Sequence, residues 1–308
     1  MGYETAKNVN IWQVDVRPFF AEEKDPAKFC FEKGIVALGW SVPGKPATKE
    51  EYWEMGKSVY AKDPHWVRAC TPFLFQMKEN DLVWLKDFEG SYYLGRIEGE
   101  WEYRDEPEFL QLGLPNARKC RLFKVGIGAP GNIEYGFRKG TIVQKINDYP
   151  SHVISRLSFN RLAGEEFYPV EEDFLLKTDV FGFLTNSELE DAVALYLQEQ
   201  GYGVIPSSLS SEESYNFRVV HRSTGEMAFV RISPSGVLDP NRFSQFPHKV
   251  FLFSPSGYIG AGGGASHVVA LKKEDIEKFF RSREELMPFT FTTFMEWKKK
   301  KEAVKVSS

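Results

Sequence analysis

Along the first 160 residues the hydrophobic positions recur mostly at a spacing of two, in short runs punctuated by Gly, Pro, Asn and Asp. "NIWQVDVRP" alternates and stops at Pro18, and "GIVALGWSV" is apolar and β-branched. "DLVWLKDF", "YYLGRIEGEWEYR", "ARKCRLFKVG" and "YGFRKGTIVQKIN" follow at hairpin distances. Such a train predicts the strands of a small β-barrel. Helical patterning interrupts it. "TKEEYWEMGKSVYA" offers Thr48 as an N-cap with acids in the first turn, and "DPHWVRACTPFLFQMKEN" is mostly helical with a break at Pro72. "HVISRLSFNRLAG" predicts a helix at the end of this half.

From Thr185 the character changes. "TNSELEDAVALYLQEQG" has an Asn186 or Ser187 cap, apolar Leu189, Val193 and Leu197, and a stop at Gly201. Strands are predicted at "GYGVIP", "NFRVVHR", "EMAFVRIS" and "KVFLFSP", then a Gly-rich "GYIGAGGGASHVVAL" and a helix "KKEDIEKFFRSREEL". The Gly run has no Gly-Lys-Ser/Thr ending and leads into a strand, so it predicts a flexible hairpin loop rather than a phosphate loop. The expected fold class is mixed α+β, with a second domain of α/β character. The 308 residues suit two domains, 1–165 and 185–296, with a linker at 166–184 and a basic tail at 297–308. The tail carries four consecutive lysines and is expected to fray, with weak nucleic-acid affinity.

Composition adjusts this picture in a few places. No apolar run reaches the roughly 18 residues of a membrane span. The opening "MGYETAKNVN" lacks the apolar core of a signal peptide, so a cytoplasmic location is expected. Cys30, Cys70 and Cys120 lie far apart and suit buried thiols rather than a disulfide or zinc framework. His248 and His267 are lone histidines without metal-ligand spacing. The net charge of −4 argues against coating nucleic acid by bulk charge. Between Ala117 and Arg161, however, nine Lys/Arg face only Glu134 and Asp148, a local balance of +7. Arg118, Lys119, Arg121, Arg138 and Lys139 are the phosphate-binding candidates there; a solvated surface balanced elsewhere in the fold is an equal alternative.

The stretch "QMKENDLVWLKDFEGSYYLGRIEGEWEYR" ends a helix, turns at Asn80-Asp81, starts a strand and returns with a paired one. With "GIVALGW" ahead of it, this order resembles the PUA-like superfamily, in its EVE and YTH branch, over residues 10 to 160. Asn80 stands where that branch has Gly, and Asn also tolerates the left-handed turn. The resemblance implies a reader of modified bases, in which a flipped or single-stranded base enters an aromatic pocket. By position Trp40 and Ser41 lead as base-binding residues, with Trp84 and Tyr92 or Tyr93 as alternatives. Core packing is the commoner fate of any single Trp.

In the second half the order helix, "GYGVIPSS", "YNFRVV", "TGEMAFVRIS" resembles the PD-(D/E)xK restriction-endonuclease-like fold. The resemblance implies a helix acid, a hairpin carboxylate and an acid-x-lysine motif that hold and use a divalent cation. Glu188, Glu190 and Asp191 supply the helix acid, but Asn216 and Arg218 occupy the eligible hairpin positions. The last motif reads Arg231-Ile232-Ser233. Arginines there repel a cation, so catalysis and metal binding are not expected; Glu190 and Glu226 remain as residual catalytic candidates, and Arg218 and Arg231 as phosphate contacts.

Three functions compete on these grounds. The first is a DNA-binding, restriction- or defence-related protein that reads a modified or flipped base, its inactive nuclease domain serving DNA contact, homodimerisation or recruitment of a partner nuclease. The second is a Mg²⁺-dependent nuclease with a rearranged site. The third is a protein- or small-ligand-binding module on two borrowed scaffolds.

Overall fold

In a computed structural model that describes residues 9–16, 24–206, 215–260 and 265–307, the chain divides into two units, Met1–Lys177 and Thr178–Ser308. Both are mixed α/β units built on one mixed sheet each, and ten α-helices occur among the described residues. Pro18 and the Gly run at 261–264 lie outside those residues. The stretch 166–184, expected as a linker, is structured: helix α7 (Glu172–Lys177) belongs to the first unit, and a 3₁₀ turn at Val180–Phe183 buries Val180, Phe181 and Phe183 in the second. No helix among the described residues is long and apolar enough to cross a membrane.

The first unit holds strands β1 (Ile11–Val14), β2 (Ile35–Leu38), β3 (Leu82–Lys86), β4 (Tyr92–Tyr103), β5 (Asn116–Gly126) and β6 (Val143–Ile146) in the order β2-β5-β4-β3-β1-β6. β1 and β3 run parallel; every other neighbouring pair is antiparallel. The expected closed barrel is not formed: β2 and β6 are edges of an open sheet. Helix α1 (Pro26–Lys33) was not foreseen; Asp25 caps it, with Oδ1 accepting from the Ala27 and Lys28 amides. Thr48 caps α2 (Lys49–Tyr60) as the pattern predicts, and α3 (Pro64–Thr71) gives way at Pro72 to a π-helical turn. α4 (Pro107–Gln111) sits between β4 and β5. Residues read as a strand around Tyr135 are instead helix α5 (Gly131–Lys139), whose apolar Ile133 and Phe137 fall four apart and are buried. α6 (Tyr149–Ala163) lays Ser151, Ser155 and Ser158 inward, and the Trp84 indole donates to Ser155 Oγ at 2.9 Å.

A carboxylate anchors this sheet. Asp81 is 2 % exposed and accepts from Trp12 Nε1 (2.7 Å), the Asn10 and Lys78 amides, and Asn10 Nδ2. Asn80 beside it adopts φ 69°, the left-handed turn expected of this position.

The second unit opens with α8 (Asn186–Glu199). Its cap is Thr185, one residue before the expected ones, because Thr185 and Glu188 form a reciprocal capping box. Strands β7 (Tyr202–Ile205), β8 (Phe217–His221), β9 (Met227–Ile232), β10 (Lys249–Phe253) and β11 (Val268–Ala270) are ordered β11-β10-β9-β8-β7. The β7–β8–β9 meander is antiparallel, whereas β9, β10 and β11 are parallel. α9 (Lys273–Ser282) buries Ile276, Phe279 and Phe280. The basic segment expected as a frayed tail continues α10 (Phe289–Ser307), a helix that begins with buried Phe291, Phe294 and Met295. Those apolar positions nucleate the helix from the core side, and the lysine run extends it.

Candidate functional site

The register of the first sheet sets the alternative base-binding candidates far apart. Leu38, two residues before Trp40, pairs with Asn116, and Asn116 pairs with Tyr103 at the end of β4. Tyr92 pairs with Lys86 at the start of the same strand. Twelve residues of β4 lie between those ends, roughly 35 Å at 3.3 Å per residue. Trp40 and Ser41 therefore cannot share a pocket with Tyr92 or Tyr93.

Trp40 itself is 6 % exposed and is held at φ 69°, a conformation rare for a bulky residue. Its indole donates to Asp63 Oδ2 at 2.8 Å, and its carbonyl accepts from Tyr52 Oη at 2.8 Å. Asn116 Nδ2 reaches the adjoining Gly39 carbonyl at 2.6 Å. The Ser41 carbonyl accepts from Tyr60 Oη. This network holds Trp40 in the core rather than offering its face to a ligand. Trp84 is likewise fully buried, which corrects its placement among base-binding residues.

Arg118 also needs correction. Its side chain is 1 % exposed, and Nε and Nη2 donate to the Phe73 and Leu74 carbonyls at 3.0 Å each. Burial draws its pKa down, opposed by Glu100 and Asp81. It closes the π-helical turn, where the displaced ladder leaves carbonyls needing donors, and it cannot meet phosphate. Arg121 pairs with Glu165 at 2.7 Å, Lys119 is exposed on β5, and Lys139 lies over the Tyr135 ring at 4.4 Å.

What the structure assembles is a cavity of about 360 Å³ where β1 and β3 end side by side, lined by Asp15, Val16, Lys86, Asp87, Phe88, Phe137 and Arg138. Its volume is at the lower end of the range for small-ligand pockets, about 300–1,000 Å³. Phe137 packs edge-on to Tyr92 with centroids 5.7 Å apart, and the Lys86 ammonium lies 5.1 Å from the Tyr92 centroid. Burial, with Glu134 acting the same way and Arg138 opposing, pushes the Tyr92 phenol up to about 12. Arg138 is exposed and stands 3.4 Å from Glu134.

Phe88 is the residue that the pattern of the chain did not single out. It is 59 % exposed, yet its backbone is pinned. Its amide donates to Asp25 Oδ2 at 2.6 Å, and Asp87 takes the Ser91 amide on Oδ1 (2.7 Å) and Tyr93 Oη on Oδ2 (2.9 Å). Gly90 completes the turn at φ 88°, which a residue with a side chain adopts only under strain. Tyr93 thus acts on the turn rather than on a ligand. The signal of Phe88 in the sequence was an aromatic at the centre of "DFEG", where turn chemistry calls for polar residues.

In the second unit, Glu190 and the hairpin do meet. Asn216 Nδ2 donates to Glu190 Oε1 at 2.8 Å, and Asn216 Oδ1 accepts from the Ile232 amide at 2.8 Å. A neutral amide thus occupies one oxygen of the glutamate. Glu226 lies at the other end of β9, on Lys249 Nζ at 3.0 Å, which also donates to Tyr202 Oη at 3.0 Å. Along β9 that is roughly 20 Å from Ser233. Glu190 and Glu226 do not converge, and among the described residues no three His, Cys, Asp or Glu side chains stand together as a metal site would require. Arg218 and Arg231 fall on one face of the hairpin, since Arg218 pairs with Phe229 and Arg231 lies two residues beyond it.

Comparison with protein-family models, with curated proteins and with solved structures returned no match.

Proposed function

We propose that this protein binds nucleic acid and takes one extruded or unpaired nucleotide into the cavity at the ends of β1 and β3. The observation that carries the reading is the pinned, solvent-facing Phe88 beside Lys86 and Arg138 at a cavity of about 360 Å³. The chemistry matches the three parts of a nucleotide. Phe88 offers a π-face, and base stacking on an aromatic contributes about 1–3 kcal/mol. Lys86 and Arg138 supply charge for phosphate. Asp15 supplies carboxylate oxygens, which accept from an exocyclic amino group such as that of cytosine. A PUA-like reader of modified bases remains the family this reading draws on, with its pocket moved from Trp40 to Phe88. The second unit serves as a nuclease-like scaffold without the hairpin carboxylate, used for DNA contact, self-association or recruitment in a restriction-related setting. Neutral Asn216 against Glu190 supports its inactivity.

The test is fluorescence anisotropy at about 50 mM salt, where phosphate contacts weigh most. Duplexes carry cytosine, 5-methylcytosine or 5-hydroxymethylcytosine, with Mg²⁺ present and products run on a gel. Modification-dependent binding without cleavage, lost in Phe88→Ala, supports the proposal. Cleavage lost in Glu190→Gln would favour the rearranged nuclease, and no binding to any duplex would favour a protein or small-molecule ligand.

A further inference from the structure

The β8–β9 hairpin of the second unit has two unlike faces. Phe217 and Val219 of β8 and Ala228, Val230 and Ile232 of β9 are buried. The alternating set, Arg218, Phe229 and Arg231, points the other way and is only half-buried. On that face the Phe229 ring is surrounded by others: Tyr215 at 4.8 Å, His248 at 5.6 Å and Phe246 at 6.1 Å between centroids, with interplanar angles of 54°, 49° and 84°. None of the four rings is buried, and His248 is exposed. A cluster of this size in a core would be covered; here part of each ring remains accessible.

Charge completes the surface. Between residues 212 and 253 the chain carries Arg218, Arg222, Arg231, Arg242 and Lys249 against Glu212, Glu213, Glu226 and Asp239, a balance of +1 in a chain of net −4. Glu226 is itself occupied by Lys249, and Arg231 has no carboxylate partner among the described residues. Accessible rings interleaved with arginines are what a single strand recognises: unpaired bases stack on the rings while phosphates meet the cations. A duplex offers π-faces only at its ends, and an acidic peptide would use the arginines but not the rings.

We infer that the Phe229 face of the second unit is a binding surface for single-stranded nucleic acid, with bases stacked on Phe246, His248 and Phe229 and a phosphate at Arg231. It is separate from the single-nucleotide cavity of the first unit and does not depend on that cavity being correct.

The test uses the full chain, fluorescein-labelled dT12 and a blunt hairpin duplex of the same sequence content at about 50 mM KCl. The strand binds about tenfold or more tighter than the hairpin. Phe246→Ala and His248→Ala each weaken it roughly 5- to 150-fold, the equivalent of one stacked base. Arg231→Ala lowers the salt slope by about 0.7, one single-strand phosphate. His248 is exposed, so its variant reports even if Phe246→Ala unfolds. The losses in Arg231→Ala and His248→Ala persist in a Lys86→Ala, Arg138→Ala background, where the cavity no longer contributes, which separates this surface from the cavity. Unchanged dT12 affinity in Arg231→Ala and His248→Ala overturns the inference. Displacement of dT12 by poly-L-glutamate at equal charge concentration overturns it too, because it would show a general anion surface.

Discussion

Replacing Asp81 with alanine tests whether one buried carboxylate holds the first sheet in register. The side chain takes five hydrogen bonds, including Trp12 Nε1 at 2.7 Å and the Lys78 amide at 3.1 Å. Trp12 is 1 % exposed, so its indole N–H finds no water once the acceptor is gone. A buried donor left without a partner costs about 1–3 kcal/mol, so two such donors give about 2–6 kcal/mol. Against a typical domain stability of about 5–15 kcal/mol, that is a large fraction. For a unit of this size about 1 kcal/mol shifts Tm by roughly 2–4 °C, so a loss of about 4 kcal/mol lowers Tm by about 8–16 °C. Asp81→Asn, nearly isosteric, turns an N–H towards these donors and should lose a comparable amount. The assay is thermal unfolding followed by tryptophan fluorescence, since Trp12 reports the site directly. If both variants melt within about 2 °C of the parent chain, Asp81 does not anchor the sheet and the reasoning fails.

Three further outcomes follow from the same structure. Arg118→Leu removes the donors that close the π-helical turn and lowers Tm, but leaves the salt slope of nucleic-acid binding unchanged because no phosphate contact is lost; a slope reduced by about one would return Arg118 to the interface. Gly56→Ala puts a methyl group 2.4 Å from Trp66 Cζ2, and overpacking of this kind costs about 1–3 kcal/mol, read as a lower urea midpoint at constant m-value. Burial draws the His152 pKa below its ordinary value, with Arg156 and Lys145 acting the same way and the Ile146 carbonyl and Asp148 opposing. The folded state therefore binds this proton less readily than the unfolded chain, so its contribution is complete above about pH 6.5 and is lost as pH falls below it. His152→Gln should flatten that part of the stability–pH profile.

The local devices were readable from residue type alone. Thr48 caps a helix because its hydroxyl reaches the Glu51 amide, Pro72 ends α3, and Asn80 takes the left-handed turn. What escaped depends on contacts distant in sequence. Helix α5 looked like a strand because "YGFRK" alternates, and only its packing of Ile133 and Phe137 decides between the two periods. The open edges of the sheet follow from β1 inserting beside β3 in parallel, a choice no local pattern encodes. The separation of the candidate aromatics was hidden for the same reason. Trp40 and Tyr92 look equivalent along the chain, but β4 holds them at opposite ends. Phe88 looked like a turn residue until Asp25, 63 positions away, was seen to pin its amide. In the second unit the sequence places Asn216 on β8's approach, but its hydrogen bond to Glu190, 26 positions away, is a contact no local pattern encodes.

The most direct test of the central claim is to compare affinity for a duplex carrying one unpaired cytosine with affinity for the fully paired duplex, in the parent chain and in Phe88→Ala. The account predicts that the bulged duplex binds about tenfold tighter, because its base needs no unpairing to enter the cavity, and that Phe88→Ala abolishes the preference. Equal affinity for the two duplexes in the parent chain, or a preference that survives Phe88→Ala, would contradict it.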